Sequence, residues 1–117
     1  MTEKDRKLIL DGKTIDYTYE GGWRFKVLFY NGLAAYQFLG DDGETVSNSN
    51  EDIPYNSRII RDDLYHVVWH EKNIGDLVSL VIDTEKNRIH SAALLDYRGS
   101  KPILHFESGD IHDFSDE

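Results

Sequence analysis

Ile15-Asp16-Tyr17-Thr18-Tyr19-Glu20-Gly21-Gly22-Trp23 alternates apolar and polar residues up to a double glycine. Taken as a strand it alternates, with Ile15, Tyr17 and Tyr19 on one face and Asp16, Thr18 and Glu20 on the other. At ~3.3 Å per residue the two tyrosine Cβ atoms stand roughly 6.6 Å apart, so both hydroxyls can reach one small polar group in a cavity. Gly21-Gly22 closes the segment with two residues free to take positive φ in a hairpin turn. Leu64 to Glu71 answers it: Tyr65, Val67, Trp69 and Glu71 share a face, which sets a carboxylate at the end of an aromatic and aliphatic row.

The period of two continues outward from these segments. Trp23 to Tyr30 groups Trp23, Phe25, Val27 and Phe29; Asn31-Gly32 has the signature of a type I′ hairpin turn; Leu33 to Leu39 groups Ala34, Tyr36 and Phe38. The polar run Glu44 to Asp52 reads as one long loop, either mobile or a lid. Ile53 to Ile60 resumes strand character, and Leu77 to Ile82, Arg88 to Leu95, Ile103 to Glu107 and Ile111 to Phe114 follow at near-regular spacing. No amphipathic helix separates them, and the connections are too short for parallel crossovers. The expected fold is therefore all-β: an antiparallel up-and-down barrel of eight or nine strands, wide enough for its own side chains or one small ligand. Residues 1–11 are expected to form a cap with a short N-terminal helical turn, residues 12–114 the barrel, and residues 115–117 a tail, all in a single domain.

Composition narrows the function classes. The 117 residues carry a net charge of -9 and no cysteine, with 39% hydrophobic and 30% charged content. Thiolate and disulfide chemistry are excluded, and a nucleic-acid partner is disfavoured because the acidic surface repels phosphate. No stretch has the length or apolarity of a membrane span or a signal peptide, so no membrane partner and a cytoplasmic location are expected. Metal binding is not expected either. His66 and His70 lie four residues apart on a strand, roughly 13 Å, on the face opposite Trp69 and Glu71. His90 and His105 could meet only across neighbouring strands. No phosphate loop or nucleophile elbow is present, and no cofactor is expected.

Three segments together carry a family likeness. Gly12 to Trp23 with its Tyr17-Thr-Tyr19, Tyr65-His-Val-Val-Trp69-His-Glu71, and Gly75-Asp-Leu-Val78-Ser-Leu80 resemble the phenolic acid decarboxylases and the related MoaF-like proteins of the calycin (lipocalin-like) barrels. The likeness runs from about Gly12 to Leu95. The chain is shorter than the decarboxylases and lacks their longer C-terminal part, so the MoaF-like branch fits better. In the decarboxylases the tyrosines of Tyr-x-Tyr and the glutamate of Trp-x-Glu work with an arginine between the third and fourth strands. The resemblance thus implies roles for Tyr17, Tyr19 and Glu71, but the corresponding segment here is Glu44-Thr-Val-Ser-Asn-Ser-Asn-Glu51, and the nearest arginine is Arg58. A carboxylate substrate would enter without a cationic partner, at a large desolvation cost.

The candidate catalytic residues are accordingly Tyr17, Tyr19 and Glu71. Loss of hydration beside Trp69 would fit Glu71 to donate a proton; at the strand end it could equally stand solvated at the barrel mouth. The candidate ligand-binding residues are Trp23, Phe25, Tyr36, Phe38, Tyr65, Trp69, Val78, Leu80, Ala93 and Leu95, a row that suits a pocket lining and a filled core alike. Small residues at Ala34, Ala92 and Ala93, read as facing inward, favour a cavity. The first functional expectation is a barrel that binds a small apolar or aromatic molecule. The alternatives are a cofactor-independent lyase or isomerase in which Glu71 moves a proton, and a solidly packed barrel acting through its acidic surface or as a homodimer subunit.

Overall fold

The computed structural model describes residues 9–40 and 43–116. Eight strands follow one another: β1 (Lys13–Tyr19), β2 (Arg24–Tyr30), β3 (Leu33–Leu39), β4 (Thr45–Arg61), β5 (Leu64–Glu71), β6 (Asp76–Asp83), β7 (Arg88–Leu95) and β8 (Ile103–Asp116). Each pairs antiparallel with the next, and β1 pairs with β8 to close the barrel. This is a closed up-and-down meander. No helix occurs among the described residues.

Local chemistry fixes the turns. Asn31 and Gly32 take φ of 50° and 76°, as a type I′ turn between β2 and β3 demands. Closure between β1 and β8 depends on Gly109, which stands opposite Tyr19. A Cβ on Gly109 would lie 2.3 Å from the Thr18 carbonyl oxygen, so only glycine lets the two strands approach.

The polar run is the main departure from expectation. Glu44 to Asp52 is not a loop, because from Thr45 onward it is the first half of β4. That half pairs with β3 through three register shifts, whereas pairing with β5 begins only at Tyr55, opposite Trp69. Thr45 to Pro54 therefore behaves as a local sheet edge, where polar residues are favoured over apolar ones. The two segments expected at the C-terminal end are joined. Ile103 to Glu107 and Ile111 to Phe114 are one strand running through Gly109-Asp110, and the barrel has eight strands, within the expected eight or nine. Residues 115 and 116 belong to that strand rather than to a tail, with Lys13 Nζ 2.5 Å from Asp116 Oδ1.

Of the expected N-terminal helical turn, residues 1–8 lie outside the described residues, and residues 9–12 form turns rather than helix. Leu10 is completely buried and seals the barrel base. Asp11 holds it there by accepting the Gly32 N–H at 3.0 Å and the Tyr55 hydroxyl. Above Leu10 the lower half of the barrel is filled: Ile15, Val27, Phe29, Tyr55, Val67, Leu80, Ile82 and Ile89 are all buried. Phe29 and Tyr55 meet edge to face at 4.9 Å. The base is a packed core, so whatever is hollow lies toward the other end.

Candidate ligand pocket

The upper half of the barrel holds a cavity of about 620 Å³ that opens to solvent. Its shape follows from which strands carry large side chains. Along β1, β2, β3 and β5 the wall is aromatic: Tyr17 and Tyr19 meet edge on at 5.1 Å, Phe25 lies 6.1 Å from Tyr17 and 6.2 Å from Tyr36, and Tyr36 stacks on Trp69 at 6.4 Å. Trp23 and Phe38, 5.2 Å apart, continue this wall to the rim, where Trp23 is 59% exposed. Along β6 and β7 the wall is made of Val78, Ser91, Ala93 and Leu95. Small residues opposite large ones leave the volume open.

Glu71 is the polar centre of this wall. Although it ends β5, it is only 2% exposed, so the solvated position at the barrel mouth does not hold. Tyr36 donates its hydroxyl to Glu71 Oε1 at 2.7 Å, Asn50 Nδ2 donates to the same oxygen at 2.8 Å, and Trp69 Nε1 donates to Oε2 at 2.9 Å. Trp69 and Glu71 are two residues apart and therefore on one face, which lets neighbouring side chains of one strand bond each other. A carboxylate, which only accepts, suits three converging donors. Burial, together with the bond to Glu71 and its charge, pushes the Tyr36 hydroxyl far above the usual tyrosine range. Tyr36 is therefore a fixed donor.

A second polar group faces it from β7 and β8. The Tyr19 hydroxyl bonds Ser91 and Tyr17; burial raises it above the usual range, and the two hydrogen bonds work against that rise. His105 packs edge on against Tyr19 at 5.2 Å and lies 2.9 Å from Glu107 through Nε2. Glu107 also accepts the Gly21 N–H and so ties β8 to the β1–β2 turn. Tyr17 lies between the two groups, its hydroxyl raised well above the ordinary tyrosine value chiefly by burial and then by Tyr19, Tyr36 and Glu71.

The cavity thus brings together Tyr17, Tyr19 and Glu71, and with them Trp23, Phe25, Tyr36, Phe38, Trp69, Val78, Ala93 and Leu95. Two of the expected lining residues are elsewhere. Leu80 is buried in the packed base, and Tyr65 stacks on Phe114 at 5.9 Å. Both lie nearer the closed end of their strands, where the axis is filled. Of the three alanines, only Ala93 lines the cavity. Ala34 is buried in the core cluster, and Ala92 falls on the outward face because it neighbours the inward Ala93.

Asn50, Asp76, Ser91, His105 and Glu107 join the site without being among the residues expected from sequence. Parity points to Ser91, two residues before Ala93. Asn50 lies in a run that lacks apolar alternation. The histidines do not cluster: His66 bonds Ser79 at 2.9 Å, His70 bonds Tyr97 and His90 bonds Ser108 at 2.7 Å, all on the outer face. His90 pairs with Ser108 and His105 with Ala93, so the two do not meet across the β7–β8 ladder. Among the described residues no three potential metal ligands converge.

No lysine or arginine is among the described residues lining the cavity. Arg58 is exposed, on the face opposite the buried Ser57. Arg24 forks onto Asp16 at 2.9 and 2.8 Å, on the strand face opposite Tyr17.

The sequence profile of the MoaF-like family matches residues 11–108. Among solved structures the chain is similar to one from Burkholderia vietnamiensis described as a candidate beta-lactamase, with a TM-score of 0.68 and 15% identity over 88% of this chain and 93% of that one. At that identity the likeness is one of fold. No curated protein matches the chain.

Proposed function

The chain belongs to the MoaF-like family, and from that premise we propose that it is a small-molecule-binding barrel holding a largely apolar or aromatic ligand in its upper cavity. The observation that carries this reading is the cavity itself. Its volume of about 620 Å³ falls within the range of roughly 300–1,000 Å³ usual for small-molecule sites, which are likewise mostly apolar with a few placed polar groups. A protein needing only stability would fill such a space, because unfilled volume among side chains costs contact energy. Tyr17, Tyr19 and Glu71 hold the polar end of the ligand, and the aromatic wall and Ala93 take its body. The lyase alternative wants a site for a substrate carboxylate, and the lining offers three carboxylates and no basic residue except His105.

The test is fluorescence titration with 2-naphthol, a neutral aromatic alcohol, in a Trp23→Phe variant that leaves Trp69 as the sole tryptophan. Saturable one-to-one quenching is expected. Failure of 2-naphthol to quench Trp69 at millimolar concentration would contradict the reading.

A further inference from the structure

Glu71 is a buried charge whose partners are all neutral. Taking a carboxylate out of water costs several kcal/mol, and buried charges are ordinarily matched by an opposite charge as well as by hydrogen bonds. Tyr36, Asn50 and Trp69 supply the hydrogen bonds but no charge. Asp76 and Glu107 add two further carboxylates to the lining, and His105, its one basic group, is already bonded to Glu107. The Tyr36 and Trp69 rings turn their O–H and N–H edges to Glu71 and their faces to each other. The three carboxylates therefore decide the sign: they oppose an entering anion and favour an entering cation.

Resting on the small-molecule-binding reading, we propose that the ligand is an organic monocation, an alkyl- or arylalkylammonium whose head sits at Glu71. Its apolar body lies between Phe25 and Ala93. The ammonium supplies the positive charge that no described side chain brings to Glu71, and the burial of Glu71 among aromatic side chains strengthens that pairing over one in bulk water.

Isothermal titration calorimetry of the whole protein at pH 7 with three probes of one carbon skeleton tests this: 3-phenylpropylammonium, 3-phenylpropan-1-ol and 3-phenylpropanoate. The ammonium is expected to bind about tenfold or more tightly than the alcohol, and the carboxylate more weakly than either. In Glu71→Gln, which keeps the size but turns one accepting oxygen into an amide donor and so leaves at least one of the three donors without its acceptor, the ammonium preference is expected to disappear. Equal or tighter binding of the alcohol or the carboxylate by the wild type overturns the cation assignment, as does an undiminished ammonium preference in Glu71→Gln. Binding of none of the three overturns it as well, and the 2-naphthol titration then decides whether the pocket reading falls with it. The wild-type comparison stands alone if the variant does not fold.

Discussion

Asn50 Nδ2 lies 2.8 Å from Glu71 Oε1, across the place where β4 and β5 are not yet paired. The ladder between those strands starts at Tyr55 and Trp69, so this side-chain bond does what backbone pairing does lower down. Asn50 and Asn73 also exchange bonds at 3.2 Å, which carries the bridge to the β5–β6 turn. A polar run at an edge thus becomes one wall of the site.

Asn50→Ala should cost about 1–3 kcal/mol in urea unfolding, because it removes a donor from a buried carboxylate. Asn73→Ala should cost less than about 0.5 kcal/mol, since Asn73 is exposed and its side chain bonds the Asn50 amide rather than the buried carboxylate. Equal losses in the two variants would show that the bond to Glu71 is not what matters at Asn50.

Stability and binding should separate between the two halves of the barrel. Phe29→Ala, in the packed base, should lose about 3–5 kcal/mol of stability and leave 2-naphthol affinity in the folded protein nearly unchanged. Ala93→Phe, on the cavity wall, should abolish 2-naphthol quenching while stability changes by less than about 1.5 kcal/mol, because the new ring enters open volume. The pair of measurements is urea unfolding and the fluorescence titration on each variant.

Gly109→Ala should weaken the β1–β8 closure by about 1–3 kcal/mol or more, since the added methyl meets the Thr18 carbonyl oxygen at 2.3 Å. Amide exchange should then accelerate first along β1 and β8. Wild-type exchange rates in those strands would contradict this account of the seam.

Tyr17, Tyr19 and Tyr36 all have hydroxyls raised above the ordinary tyrosine value, with burial as the largest cause for each. The unfolded chain ionises near pH 10 while the native phenols still hold their protons, so the unfolded state binds fewer protons there. Their contribution to stability is complete below about pH 10 and is lost as pH rises above it. Absorbance at the phenolate band should show these three titrating only as the protein unfolds. Replacing Tyr17 by Phe should flatten the alkaline fall in stability.

The barrel was legible because strands β1, β2, β5, β6 and β7 each keep one face apolar, and a period of two says which side chains travel together. The convergence of Tyr17, Tyr19, Trp69 and Glu71 follows from that parity once closure is granted. Parity gives no height along the axis. That is why Leu80 and Tyr65 were grouped with Val78 and Trp69 although the base is filled and the top is open. It also fails where neither face is apolar, as from Thr45 to Asp52, and with that segment Asn50 went unread. Gly109-Asp110 looks like a turn in sequence. In the barrel it is strand, because glycine there serves close approach between β1 and β8 rather than a reversal.

A crystal structure of the protein with 2-naphthol shows directly whether the upper cavity is a ligand site. The ring should lie between the aromatic wall and Ala93, with its hydroxyl about 3 Å or less from Glu71, Tyr17 or Tyr19. An axis filled by side chains from base to rim, or naphthol bound only on the outer surface, would contradict the account.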